Sequence, residues 1–561
     1  MTHRSLTPPH GGDRLAGEPF ASRSTVWGAH GAAATAHPLA SLIAIDLLRA
    51  GGSAVDAAIG ANAALGFLEP INCGIGGDAF AMVWDPAKGK LAGLNGSGRS
   101  PRALDLKTQR ERSRNGLIAP AGAITVSTPG AVDAWWALHQ RYGRLPWADL
   151  LAPAIDLAEQ GAPVAQTVAH YLDLSVRGFA RPGRGIEEVE NLKAIWAPQG
   201  HTPTEGEVFA NPALARSYRL IAAGGRDAYY EGEIAQVIDA YFRRIGGWLS
   251  KEDLAAHRAE WVEPRSTSYR GVEVWALPPN SQGLSTLQIL NILENFDLKD
   301  AGFQTTASLH LQIEAKRLAF EDRARRFADP DFADIPIDWL ISKAYGAERA
   351  ALIRPEAILD PVFPGEAPSH GETTYLCAAD ADGMMVSLIQ SNYRGMGSGL
   401  CADGLGFMFQ NRGELFSLRD GDANIYAPGK RPFQTIIPGF ATRGGEPWLA
   451  FGVMGGDMQP QGQAQIILNL LDYQLGLQAA GDSPRWRHEG SPEPTGEPGR
   501  GRGILRLESG VPEATRAGLA SLGWTFGGPD GGFGGYQAIQ RWPGRYAAAS
   551  EMRKDGCALA Y

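Results

Sequence analysis

The chain has 561 residues, 44% of them hydrophobic and 20% charged, a composition of ordinary soluble globular proteins and enough length to bury a large core. Its formal net charge of -9, with no concentrated Lys/Arg block, excludes nucleic acid and anionic membrane surfaces as main partners, since both demand a basic face. Cys73, Cys377, Cys401 and Cys557 lie far apart without a CxxC pair, which favours reduced thiols over a disulfide frame or a zinc site.

Residues 1–30 are rich in His, Pro, Gly and Arg and lack the apolar core of a secretory signal, so a flexible tail is expected there. Together with the cysteine usage this predicts a cytoplasmic protein. Leu39, Leu42, Ile43 and Leu47 share one helical face, and Gly51-Gly52 supplies the stop. A second helix is expected from Asp56 through small residues to Leu68; its nearly apolar part is too short to span a bilayer. Glu69-Pro70 breaks it ahead of a strand over 79–84. Gly74-Ile75-Gly76-Gly77 lacks both the GxGxxG spacing and a following helix, so no nucleotide loop is expected. Arg99 sits in a turn over 95–101, where it is either a carboxylate clamp or a surface residue.

Helical spacing recurs over 131–139, 150–159, 214–223 and 234–245, and a strand is expected over 272–277. Two more helices follow over 285–296 and 308–327. The second ends in Arg323, Arg325 and Arg326, which suit a solvated helix terminus. Asp329-Pro330-Asp331 reads as a turn.

The informative stretch comes two-thirds of the way along. Prolines, a glycine and a serine over 361–370 predict an exposed loop, after which apolar runs at 373–379 and 384–391 flank the hairpin signal Ala381-Asp382-Gly383. Taken alone, the segment fits a plain hairpin. It also suits self-cleavage between Glu372 and Thr373. The Thr373 hydroxyl would attack the preceding carbonyl, and water would open the resulting ester. The α-amine so released, with a reference pKa of about 7.7–8.0, is a well-matched base beside its own hydroxyl.

Around this segment stand further landmarks: Arg49 to Ala58, Glu69-Pro70 with Gly74 to Gly77, Ser127-Thr128-Pro129-Gly130, Pro278 to Gly283, Gly429-Lys430-Arg431-Pro432, Gly455-Gly456, and the ending from Ala549 to Tyr561. With Thr373-Thr374-Tyr375 and Asp380 to Gly383 they resemble, in order, the γ-glutamyltranspeptidase family of N-terminal-nucleophile hydrolases. The resemblance implies an α+β, four-layer αββα fold with two stacked antiparallel sheets flanked by helices. Segments 31–372 and 373–561 would build one folded core and remain each other's partner after cleavage. It implies Thr373 as nucleophile, Ser391 as its hydrogen-bonding neighbour, and the amides of Gly455 and Gly456 as oxyanion donors. No metal or organic cofactor is needed, and a homo-oligomer is left open.

The acyl pocket departs from the family pattern. Ser97 stands where the family has an arginine, and the nearby arginine is Arg99. Arg412 and Leu415 replace residues that hold a substrate α-ammonium, Gln434-Thr435 replaces a serine pair, and Tyr375 replaces a histidine. Leucine removes an ion pair and Arg412 repels a cation, which points to an anionic acyl group without a free amine. Arg99, Arg394, Arg412, Gln434 and Thr435 are therefore the substrate-binding candidates. The expected function is a self-processing amidohydrolase or acyltransferase acting on a small-molecule amide, γ-glutamyl or related and bearing a carboxylate. An oxamate amidohydrolase or a glutaryl or cephalosporin acylase is the alternative within the family; Glu414 or Asp457 would have to hold the ammonium of a true γ-glutamyl substrate. Outside enzymology stand a self-cleaved but non-catalytic binding module and an uncleaved ligand-binding protein.

Overall fold

The computed structural model describes residues 13, 17, 20–181, 183, 185–359, 372–528 and 531–561. The loop expected at 361–370 lies outside the described residues. Two seven-stranded sheets carry the architecture. The first runs Val26–Gly28, Arg545–Ser550, Tyr536–Trp542, Glu446–Val453, Gly439–Arg443, Val272–Ala276, Arg265–Tyr269. In the second the order is Cys557–Ala560, Ala32–Thr35, Glu372–Ala379, Met385–Tyr393, Asp78–Asp85, Lys90–Asn95, Glu260–Val262. Every pairing within the two sheets is antiparallel.

The sheets face each other, with Glu372–Ala379 touching Tyr536–Trp542 and Glu446–Val453 across the gap. Helices Pro38–Arg49, Ala54–Leu68 and Ala131–Tyr142 lie on the outside of the second sheet, and Gly283–Leu293, Met458–Leu471 and Leu477–Asp482 on the outside of the first. The expected αββα order is therefore present. Residues from both sides of Thr373 share its principal core: Ala81, Val83, Leu376 and Ile389 belong to one buried cluster.

Local chemistry explains the layers. Every residue of Ala54–Leu68 is buried, as expected of a helix that is apolar apart from Asp56 and Asn62. It begins at Ala54 rather than Asp56 because Ser53 caps it. The Asp56 N–H donates to Ser53 Oγ at 3.1 Å and the Ser53 N–H to Asp56 Oδ2 at 2.9 Å, a reciprocal pair that satisfies two free helix donors. Between the sheets, a Cβ on Gly452 would come within 2.4 Å of the Tyr375 ring. Tyr375, the residue in place of the family histidine, is thus a core ring, its hydroxyl 2.9 Å from Ser387 Oγ.

Three expectations need correction. The segment 1–30 is not all tail: Val26–Gly28 pairs with Arg545–Ser550, and the Ser22 hydroxyl donates to Asp482 Oδ2 at 2.7 Å. The helix 214–223 is longer, Pro212–Tyr230, and is interrupted at Gly225 (φ 60°), a backbone state open to glycine. At the end of Thr306–Arg326, Arg325 and Arg326 are exposed as expected, but Arg323 is fully buried in ion pairs. Among the described residues no helix is long and apolar enough to cross a membrane.

Candidate active site

The site grows from a mismatch in strand register. Glu372 pairs with Tyr393 but Thr374 pairs with Gln390, so a bulge lies opposite Thr373, and Tyr393 adopts φ 82° to make it. A bulge re-aims the side chains beside it. Here Ser391 meets Thr373: the threonine Oγ1 donates to Ser391 Oγ at 3.4 Å, and the Tyr393 N–H donates to Ser391 Oγ at 2.8 Å. Gln459 Nε2 donates to Thr373 Oγ1 at 3.4 Å from the opposite layer. All three side chains are buried.

The next residue, Thr374, donates from Oγ1 to Glu69 Oε2 at 3.2 Å, and Asn72 Nδ2 donates to the same oxygen at 2.5 Å. Burial pushes the Glu69 carboxyl up to about 7, with Asn72 and Thr374 pulling only partly against it. Glu69 is therefore a buried acid near its midpoint one residue from the candidate nucleophile.

Gly455 and Gly456 form the turn between Glu446–Val453 and Met458–Leu471. Their φ values, 110° and 56°, are open to glycine and strained for other residues. Such a turn leads directly into a helix N-terminus, where free N–H groups favour negative charge. It is held from behind. Gln282 Nε2 donates to the Gly456 carbonyl at 3.0 Å and to the Thr435 carbonyl at 2.7 Å. Arg323 Nη1 in turn donates to Gln282 Oε1 and to Asp457 Oδ1, both at 2.7 Å, while its Nη2 pairs with Glu493. Burial opposes the charge on Asp457, yet Arg323 holds its carboxyl below the ordinary range.

The structure separates the arginines named from sequence. Arg99 is engaged elsewhere, at 3.2 Å from Asp329 and 2.6 Å from Asp331. Arg394 and Arg412 do converge, 5.4 and 4.9 Å from the centroid of the Tyr393 ring. Arg394 pairs with Glu414 at 2.6 Å. Arg412 donates from Nη1 to Thr435 Oγ1 at 2.7 Å, and its Nε and Nη2 have no hydrogen-bond partner among the described residues. Burial lowers its pKa to about 10, with Asp78 as the main counterweight. Gln434 serves Asp78, donating to Oδ2 at 2.7 Å. Glu414 and Asp457, the substitutes considered for an ammonium site, are both paired with arginines.

Sequence reasoning missed Gln459, Gln282, Arg323 and Asp78. The available signal for the first was an alternation, Gln459, Gln461, Gln463 and Gln465, inside an otherwise apolar segment. It reads as strand spacing but stands on the helix Met458–Leu471, where buried amides need partners.

This geometry has relatives. A profile of the gamma-glutamyltranspeptidase family matches residues 40–561. The chain is 38% identical over 451 residues to the glutathione hydrolase-like YwrD proenzyme of Bacillus subtilis (strain 168), covering 80% of this chain and 83% of that one. It is 34% identical over 544 residues to the acylase ACY 1 proenzyme of Pseudomonas sp. (strain SE83), at 95% and 94% coverage. The crystal structure of cephalosporin acylase from Bacillus halodurans superposes with a TM-score of 0.89 at 40% identity, covering 100% of this chain and 99% of the other. The chain therefore belongs to the gamma-glutamyltranspeptidase family and has its N-terminal-nucleophile hydrolase fold.

Proposed function

We propose that the protein is a self-processing amidohydrolase whose nucleophile is Thr373 and whose acyl donor is an amide carrying a carboxylate but no α-amine. Maturation begins when Thr373 Oγ1 bonds to the Glu372 carbonyl carbon. The peptide C–N bond breaks as the nitrogen, keeping its own proton, takes up the one the hydroxyl gave up, which frees the threonine amine. Water then adds to the ester carbon and the C–Oγ1 bond breaks, leaving the Glu372 carboxylate and the restored Thr373 hydroxyl. In turnover the same oxygen bonds to the substrate carbonyl while that amine accepts the hydroxyl proton and passes it to the leaving nitrogen. The Gly455 and Gly456 amides, at a helix N-terminus, stabilise the oxyanion. Water completes hydrolysis; an amine in its place would make the reaction a transfer.

The observation that carries the catalytic reading is Thr373 at the bulge, buried, with a hydroxyl and an amide donor in reach. For the substrate it is Arg412. A buried guanidinium with two unused donor atoms is costly unless a ligand completes it, and a carboxylate matches its planar fork. Leu415 beside it offers nothing to an ammonium. The relatives named as acylases support this choice.

Intact-mass analysis should show fragments of roughly 40 and 20 kDa, the shares of 59.9 kDa belonging to 1–372 and 373–561, the smaller one beginning Thr-Thr-Tyr-Leu. Thr373→Ala should stay whole and inactive. Cleavage and turnover in that variant would end the proposal. Among chromogenic amides, a glutaryl anilide should be hydrolysed in preference to its γ-glutamyl counterpart; the reverse order would remove the substrate assignment.

A further inference from the structure

We infer that Gln459 is a catalytic residue that donates a hydrogen bond to the nucleophile oxygen and stabilises it whenever it carries negative charge. The inference rests on Thr373 being the nucleophile. Four facts support it. Gln459 Nε2 reaches Thr373 Oγ1 at 3.4 Å, within the range of catalytic contacts that tighten during reaction. Which end of the amide faces the threonine is decided by chemistry: Gln459 Oε1 accepts the Ile437 N–H at 2.8 Å, so the NH2 group must face Thr373. Ile437 is itself gripped one turn along the same helix, its carbonyl accepting from Gln463 Nε2 at 2.9 Å. The helix is the one opened by Gly455-Gly456, so one rigid element delivers both the oxyanion turn and this donor.

The hydrogen-bond pattern at Oγ1 is then complete for attack. In the uncleaved chain its proton points at Ser391, one lone pair receives Gln459, and the other remains for the carbonyl carbon; after cleavage the proton turns to the freed amine while the Gln459 contact stays. During deacylation water bonds to the ester carbon, its proton passes to the Thr373 amine, and the bond from carbon to Oγ1 breaks. Oγ1 leaves with the electron pair and takes that proton back. The Gln459 N–H steadies this leaving oxygen until the proton arrives. The same donor serves the oxygen in self-cleavage, so processing and turnover share a dependence on residue 459.

Gln461 and Gln465 point elsewhere and set the contrast. Their Nε2 atoms donate to the carbonyls of His488 and Trp486, and their Oε1 atoms accept from the N–H groups of the same residues. They bolt the helix to a neighbouring strand. Gln465→Met should therefore lower the melting temperature and leave kcat of the mature enzyme unchanged.

Gln459→Glu is the discriminating variant, because it keeps an acceptor for Ile437 and removes the donor. Its kcat at pH 8, and the processing rate of the purified precursor, should fall on the order of ten- to a hundredfold with KM nearly constant. The deficit relative to wild type should shrink as pH falls, because a protonated glutamate regains a donor. Gln459→Met should show the loss without the recovery, and a folded precursor of either variant that never cleaves counts with this result. If Gln459→Glu processes and turns over at wild-type rates at every pH, losing only thermal stability as Gln465→Met does, the inference is overturned while Thr373 keeps its role. If Gln459→Glu fails to fold, the Gln459→Met rates decide alone. Activity surviving in Thr373→Ala would instead overturn the parent reading.

Discussion

Arg323 and Arg412 are both buried completely, and their surroundings differ. Arg323, at the end of Thr306–Arg326, meets Gln282, Asp457 and Glu493, and it lies over the ring of Phe320 at 3.8 Å. Burial works against its charge, but the two carboxylates overcome that and raise its pKa. Arg412, in the short turn Arg412–Leu415, has one hydroxyl and an aromatic face, and burial wins: its pKa falls to about 10. The first charge is matched within the fold and braces the glycine turn. The second has two donor atoms without a hydrogen-bond partner among the described residues, which is the observation behind the proposed carboxylate-bearing substrate. A buried charge matched internally is structure, and one left half matched marks where a ligand of opposite sign belongs.

The sharpest way to break this comparison is Arg323→Met. Removing the guanidinium strands Asp457 and Glu493 together, and stability should fall by about 3–5 kcal/mol, read as a shift in the urea midpoint at constant slope. A loss below about 1 kcal/mol would deny Arg323 its bracing role.

Glu69 offers a third solution to burial, neutralisation, and an effect of intermediate size. Its pKa rises from 4.5 unfolded to about 7 folded, so the folded state binds the proton more tightly. The stability this gives is whole below pH 4.5 and is lost as pH rises from 4.5 to about 7. The loss amounts to about 3 kcal/mol. Glu69→Gln should flatten that slope and be more stable than wild type at pH 8, by urea titration across the range. An unchanged slope would show that Glu69 is not the titrating group.

Arg412→Met should do the smallest damage to the fold, since the variant sheds a burial cost that outweighs the pull of Asp78, and Asp78 keeps its hydrogen bonds from Gln410 and Gln434. Its effect belongs to the substrate: kcat/KM for a glutaryl anilide should drop by about thirtyfold, roughly 2 kcal/mol, while a neutral acyl anilide changes little. Equal losses on both substrates would make Arg412 a second brace and erase the distinction.

Much of this was written in local pattern. The helices over 131–139 and 234–245 are visible because apolar residues recur at the helical period, and the hairpin around Asp382-Gly383 because turn chemistry is local. Thr373 stood out through what surrounds it in the chain. Ala32–Thr35 did not: alanine has little preference for strands, and this one exists because Cys377–Ala379 and Cys557–Ala560 flank it on either side.

The order of motifs along the chain, through the family they resemble, was enough to determine the fold class, and local context singled out Thr373 as the candidate nucleophile, because motifs and turn signals are read from neighbours along the backbone. Tertiary structure alone decided how the charges are matched. Arg99 found Asp329 and Asp331, Arg323 found Glu493 across 170 residues, and Gln459 came to Thr373 across 86. Hydrogen bonds and ion pairs act over a few ångströms of space, and only the folded chain brings such distant residues that close.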